Sequence, residues 1–383
     1  MSENVLIDYS GEQQIPCRFT GSEKKISILV DGIVYMLKFP DPIRSKANEM
    51  SYMNNVFSEY ISCHIFESCG IPAQHTSIGV YTSADGITRP VVACRDLTAD
   101  GRGLQEFARL PQEQFDSGPS PRRGNSIDLE YVYDLIRSSK FVSDPEKVIQ
   151  DFWDIFILDA LTMNPDRHLE NLALTFEEGS PTAGARMSPV YDCGSSLFAL
   201  ATPEEQSLAL NDKNYMKQLV VGYHSCYAFN GARIQYLPFF KSSTHPDFLA
   251  AVRRIAPRID FEAIDSIVAD TPLLEPEVKN FYKAALRCTF ENIIEPGLRR
   301  ARRIDTPEMR LREDPPSFSA ISAPKEDGSK PKNRLYPART RDGYVDLKGS
   351  SEVLRKGYSG PIPDDCRFGT RPRISRDLDN LGR

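Results

Sequence analysis

The sequence predicts an α+β fold in two lobes: a small antiparallel sheet carrying one helix, then a larger and mostly helical lobe. Three features of the 383-residue chain lead there. The first hundred residues read as short strands broken by one helix, and the next two hundred read as helices with brief strands between them. Where the most apolar helix ends, the chain runs NPDRHLEN, residues 164–171. The expected organisation is 1–96 for the sheet lobe, 97–303 for the helical lobe and 304–383 for a tail.

IPCRFT (15–20), ISILVD (26–31) and IVYMLKF (33–39) have strand composition, and Asp31-Gly32 between the last two is a type I′ hairpin signal. In EMSYMNNVFSEYISCHIFESCGIP, the residues Met53, Val56, Phe57, Tyr60, Ile61, His64 and Ile65 recur at helical spacing until Gly70 and Pro72 end the run. HTSIGVYT (75–82) and RPVVACRD (89–96) read as two more strands. LQEFARL is expected to be a short amphipathic helical piece, residues 116–126 a loop, and IDLEYVYDLIRSSK (127–140) a helix. Ser143-Asp144-Pro145-Glu146 supplies an N-cap, an N1 proline and an early acid for a core helix that is apolar nearly all round. Strands NLALTF (171–176) and MSPVY (187–191) follow it. Residues 203–301 hold further helices, including FLAAVRRIA and PEVKNFYKAALRCTFENIIEPGLRRARR.

Composition narrows the class. Apolar residues make up 40% of the chain, enough for a sizeable core, yet no apolar run approaches the ~18 residues a membrane span needs. The start, MSENVLIDYSGEQQ, lacks a signal-peptide layout, so a cytosolic protein is expected. Eight cysteines are scattered without a CxxC pair or zinc spacing to the five histidines, which predicts reduced thiols and no zinc site. Cys94 and Cys193 read as small buried hydrophobes. The net charge of −6 is uneven: residues 299–383 carry 20 Lys/Arg against 13 Asp/Glu, and the rest 27 against 40. An acidic body argues against specific nucleic-acid binding. The Pro- and Lys/Arg-rich tail is expected to be disordered or loosely docked, and is a candidate for recruiting a regulatory partner.

The polar cluster carries chemistry. Asp166 and Asn171 are five apart, and about twenty residues on a strand ends in Asp192. Helix, Asp-x4-Asn, strand, turn, strand, Asp is the layout of a phosphoryl-transfer site. A nucleoside triphosphate must have its charge neutralised by a hard divalent ion, for which Asn171 and Asp192 supply oxygen ligands, while Asp166 faces the incoming hydroxyl as acid/base. Lys38, at the end of a strand, and Glu59, mid-helix, supply the lysine for the phosphates and the acid that holds it.

Together these residues resemble the HipA-like branch of the protein-kinase-like superfamily, bacterial serine/threonine kinases best known as toxins. The matching pieces are Asn164-x-Asp166-Arg167-His168-x-x-Asn171, Pro189-Val190-Tyr191-Asp192, Asn55 to Tyr60 followed by Gly70-Ile71-Pro72, and the loop Thr20-Gly21-Ser22-Glu23-Lys24-Lys25. The resemblance covers about residues 18–300. It implies a bilobal protein-kinase-like fold, ATP and Mg²⁺ as cofactors, a protein substrate and a bacterial cytoplasmic location, with export as an effector left open. It makes Asp166 the catalytic acid/base and gives Asn171 and Asp192 to the metal. Lys38, Gly21, Ser22 and Lys25 go to the phosphates, with Glu59 pairing Lys38. Val92 to Asp96, including Ala93 and Cys94, becomes the hinge against adenine. His168 either braces the loop from the core or approaches the γ-phosphate. Ser22 is a candidate for autophosphorylation.

The motifs start by residue 20, so the extra N-terminal subdomain of longer members is expected to be absent, and with it much of the ground for an antitoxin partner. The turn Asp192-Cys193-Gly194-Ser195 lacks the phenylalanine of Asp-Phe-Gly. Two other readings stay open here: a phosphoinositide-3-kinase-like lipid or small-molecule kinase, which shares Asp-Arg-His-x-x-Asn, and a nucleotide-binding pseudokinase scaffold.

Overall fold

The structure, a computed structural model, describes residues 6–16, 25–40, 54–113, 122–123, 126–177 and 184–304. The tail, the loop Gly21-Ser22 and Met53 lie outside them, as does most of IPCRFT.

Strands β1 (Ile7–Asp8), β2 (Gln13–Ile15), β3 (Lys25–Val30), β4 (Ile33–Lys38), β5 (Thr76–Thr82) and β6 (Thr88–Arg95) form one sheet in the order β1-β5-β6-β4-β3-β2, with helix α1 (Asn54–Ser68) packed on β5 and β6. All its pairings are antiparallel except the short edge pair β1–β5. The β3–β4 hairpin turns at Asp31 and Gly32 with φ of 49° and 78°, the double positive φ that a type I′ turn demands. Strand period divides the apolar residues between two cores. Met36, Val92 and Cys94 face α1 and the main core, whereas Leu37, Phe39, Val91 and Ala93 face a smaller core with Tyr9, Ile28 and Tyr81. Burial on both faces is why β6 reads as a continuous apolar run.

The remaining strands are β7 (Arg102–Glu106), β8 (Arg122–Arg123), β9 (Ser126–Asp128), β10 (Ala173–Glu177), β11 (Arg186–Met187), β12 (His224–Phe229) and β13 (Ala232–Gln235). They make two small sheets, β11-β10-β7 and β13-β12-β9-β8. The helices are α2 (Leu129–Ser138), α3 (Pro145–Thr162), α4 (Pro203–Asn211), α5 (Lys213–Val221), α6 (Tyr236–Ser242), α7 (Pro246–Ile255), α8 (Phe261–Asp270), α9 (Pro276–Thr289) and α10 (Glu295–Ile304). Helix α3 starts as expected: the Asp144 carboxylate accepts from the Lys147 N–H, and Pro145 sits in the first turn. It ends at Met163, whose φ of 56° turns the chain toward Asp166.

Three expectations are corrected and one is extended. LQEFARL is not an amphipathic helix: its first residues complete β7, paired to β10, and a 3₁₀ turn follows over Phe107–Glu113. MSPVY is a strand only at Met187, with an isolated bridge from Val190 to Ala73. Residues 203–301 hold the expected helices and, between two of them, the β12–β13 hairpin, which turns at Asn230-Gly231 with φ of 52° and 77°. The last long helix is interrupted by a π turn over Phe290–Ile294, just before Pro296, which lacks the N–H a regular helix would use.

Candidate active site

The site begins with β4. Alternation puts Met36 and Lys38 on one face, so the Lys38 side chain points at α1 although only 6% of the residue is exposed. Its Nζ donates to Glu59 Oε2 at 2.7 Å and to Asp192 Oδ1 at 2.8 Å. Glu59 is fully buried in the middle of α1, while 43% of the Asp192 side chain is open to solvent. Lys38 thus joins a buried helical acid to an accessible acid 154 residues away in the chain. The Lys38 ammonium holds the Asp192 carboxyl down at about 2, against the opposing effect of burial, so Asp192 is an anion at neutral pH.

Asp192 reaches Lys38 because the chain before it is tied to the segment after α1. The Gln74 N–H donates to the Val190 carbonyl at 2.7 Å and the Val190 N–H to the Pro72 carbonyl at 2.8 Å. Asp192 itself turns with φ of 56°, and Gly194 follows pressed against α1, where a Cβ would lie 3.4 Å from Glu59 Oε2. The Leu197 N–H then donates to the Thr162 carbonyl at 2.8 Å, fastening the turn to the end of α3.

The loop from Asn164 to Asn171 is held from beneath by Arg167, which is 2% exposed. Its Nε and Nη2 donate to the two carboxylate oxygens of Asp159, each at 3.1 Å, and Nη2 also donates to Cys193 Sγ at 3.2 Å. Nη1 donates to the carbonyls of Asn171, at 3.2 Å, and Tyr191. One guanidinium therefore ties the loop to both α3 and the segment leading to Asp192. Asn164 donates to the same Asp159 at 3.0 Å and accepts from the Asp166 N–H at 3.0 Å, fixing the backbone of Asp166. Burial pushes the Asp159 carboxyl up while Arg167 pulls it down.

Asn171 Nδ2 donates to the Asp166 carbonyl at 2.9 Å, which aims its Oδ1 away from that bond. The His168 ring, 28% exposed, caps the turn that carries Asn171: its Nδ1 accepts from the Glu170 N–H at 3.2 Å. It braces the loop by capping, without stacking in the core. Glu170 is exposed, and its carbonyl accepts from the Tyr191 hydroxyl at 2.8 Å.

Lys25 lies directly across from Lys38 in the β3–β4 register, so both side chains share one face. Like charges opposite one another are unfavourable, and here the Lys38 charge is balanced by two carboxylates. Of the expected hinge pair, Cys94 shares the Lys38 face whereas Ala93 lies on the opposite face of the sheet, in the smaller core. Ala93 is fully buried inside a strand paired on both sides. Gly21 and Ser22 lie outside the described residues.

Sequence reasoning missed Asp159 and the β12–β13 hairpin. The hairpin's Tyr227 hydroxyl donates to the Arg167 carbonyl at 2.6 Å, Cys226 Sγ donates to the same oxygen at 3.1 Å, and the Tyr236 hydroxyl donates to the Asn164 carbonyl at 3.3 Å. An Asp inside the buried run FILDALT was the available signal, since a buried carboxylate needs a partner. Asp154 in the same helix obeys the same rule, paired with Arg254 of α7 at 3.0 Å.

The family model of the HipA-like C-terminal domain matches residues 18–242. The serine/threonine-protein kinase CtkA of Helicobacter pylori strain J99 is 32% identical over 279 residues, spanning 72% of this chain and 82% of that protein. The crystal structure of the Helicobacter pylori proinflammatory kinase CtkA superposes with a TM-score of 0.70 at 30% identity, covering 79% of this chain and 99% of the other. Among the described residues no helix is long and apolar enough to cross a membrane.

Proposed function

The chain belongs to the HipA-like family of serine/threonine kinases, and from that membership we propose that it transfers the γ-phosphoryl group of ATP to a serine or threonine hydroxyl of a protein substrate. The observation that carries the proposal is Lys38 bound at once to Glu59 and Asp192. Glu59 holds the ammonium in place, and the ammonium can then turn toward phosphate oxygens without losing its buried counter-charge.

The donor set suits Mg²⁺. Asp192 offers an ionised, half-accessible carboxylate, and Asn171 an amide oxygen whose companion nitrogen is already committed to the Asp166 carbonyl. When bound, the ion neutralises phosphate charge, with Asp192 and Asn171 as its protein ligands. Asp166 is oriented through its own N–H by Asn164 and through its carbonyl by Asn171, and its carboxylate orients the acceptor hydroxyl and takes its proton. Lys25 supplies a second cation to the phosphates from the neighbouring strand. His168 acts as a positioning residue through Glu170 and Asn171. Transfer to protein rather than lipid is favoured by the 32% identity to a serine/threonine-protein kinase.

The test is incubation of the wild type, Asp166→Ala and Asp192→Ala with γ-labelled ATP, Mg²⁺ and a cell lysate. Label on protein with the wild type and none with either variant is expected. No protein label with the wild type, or equal label with both variants, would sink the proposal. Label running with lipid would select a lipid kinase instead. Whether the basic tail recruits a regulatory partner is tested by pull-down with chains ending at 304 and at 383.

A further inference from the structure

Beneath the Lys38 pair lies a feature that the kinase chemistry does not use. Glu59 and Cys63 stand one turn apart on α1, and Cys193 of the Asp192 turn packs against them. A carboxylate oxygen and the two sulfurs all lie within 4.8 Å of one another. All three residues are completely buried. Glu59 Oε2 is taken by Lys38, but Oε1 has no hydrogen-bond partner. Leaving one oxygen of a buried carboxylate unsatisfied is costly, and the side chains gathered around this carboxylate include two soft sulfur atoms, weak as hydrogen-bond donors but strong as metal ligands.

We propose that Glu59 Oε1, Cys63 Sγ and Cys193 Sγ form a site for one thiophilic divalent cation of the Zn²⁺ class. Carboxylate oxygen and thiolate sulfur are ordinary zinc ligands, at about 2.0–2.2 Å and 2.3 Å, so three of them around one ion stand ~3.5–3.8 Å apart. Separations within 4.8 Å need to close by up to about 1.3 Å. On binding, the two thiol protons pass to solvent and two metal–sulfur bonds form, with no change of oxidation state. The two thiolates cancel the ion's charge, and the Arg167 guanidinium, 3.2 Å from Cys193 Sγ, faces a sulfur that becomes more negative. Because Lys38 holds the other oxygen, the ion can bind without displacing it. It would clamp α1 to the Asp192 turn. The spacing of the cysteines along the chain hid this site: Cys63 and Cys193 are 130 residues apart and belong to no zinc motif.

The test uses Cd²⁺ as a spectroscopic probe on the full chain, kept reduced. One equivalent is expected to give the ultraviolet sulfur-to-cadmium charge-transfer band, raise the melting temperature, and shield Cys63 and Cys193 from alkylation in peptide mapping of the wild type. Cys63→Ala should abolish the band, and Cys288→Ala, on α9 and half-buried, should keep it. Absence of the band in the folded wild type would overturn the site, as would a band that survives in Cys63→Ala. The peptide map decides the matter even where Cys193→Ala fails to fold: shielding of other cysteines in place of these two would also overturn it. None of these readouts depends on phosphoryl transfer, so the failure of this site and the failure of the kinase proposal are separable.

Discussion

Arg167 and Asp159 form a two-pronged ion pair, 3.1 Å at each contact, with both side chains only 3% exposed. The arginine comes from the 164–171 loop and the aspartate from the last turn of α3, so the pair sets where Asp166 stands relative to the core. Removing one partner strands a buried charge, which typically costs about 3–5 kcal/mol. Asp159→Ala is therefore expected to lower unfolding stability by that amount in urea titration, and to abolish transfer in whatever fraction stays folded. A loss below about 1 kcal/mol would show that the pair is not the loop's anchor.

Acid stability should carry the signature of the Lys38–Asp192 contact. Asp192 is held at about 2, below its ordinary 3.8, so its contribution is present above the ordinary value and is lost as pH falls through about 2. With 43% of the side chain exposed, solvent screening reduces the contribution to roughly 1 kcal/mol. In Lys38→Met/Glu59→Gln, which strands no buried carboxylate, the slope of stability against pH should flatten from about pH 4 downward. Urea titrations across that range measure it, and an unchanged slope would refute the assignment.

Asn171→Ala should act on metal use before it acts on fold. The variant loses the amide oxygen offered to Mg²⁺ and the 2.9 Å bond that holds the Asp166 carbonyl. The expected result is a Mg²⁺ concentration for half-maximal transfer raised about tenfold or more, corresponding to roughly 1.4 kcal/mol, with the melting temperature little changed. Identical Mg²⁺ titrations for variant and wild type would remove Asn171 from the metal site.

Tyr227→Phe deletes only the hydroxyl that reaches the Arg167 carbonyl at 2.6 Å. Stability should fall by about 1 kcal/mol, the usual net value of one hydrogen bond, and the loop above should loosen. Because the hydroxyl acts through Arg167, kcat is expected to fall several-fold while KM for ATP stays near the wild-type value. A change in KM alone would place Tyr227 at the nucleotide instead.

Much of the fold was legible because its signals are local. Asp31-Gly32 specified a hairpin by the φ values its residues tolerate, Asp144-Pro145 specified the start of α3, and the period of apolar residues placed α1, β5 and β6. Asn230-Gly231 is an equally local hairpin signal, set among helices, and its φ of 52° and 77° shows the same turn chemistry. LQEFARL misled because its apolar spacing suits a short helix, while pairing with β10 draws its first residues into a strand. The candidate site was legible as residue types in order: Lys38, Glu59, Asp166, Asn171 and Asp192.

Local conformations and the chemical groups on offer follow from the order of residues alone, since backbone preference and side-chain period act over a few residues. Tertiary structure alone decided which groups meet. It brought Lys38 to Asp192, set Asp159 under Arg167, turned Ala93 to the far face of the sheet and packed Cys63 beside Cys193. Those outcomes depend on how the segment after α1 binds the residues before Asp192 and on how the β12–β13 hairpin supports the 164–171 loop. Such contacts join residues far apart in the chain, and their energy comes from burial and pairing in the assembled core, which no short window of sequence contains.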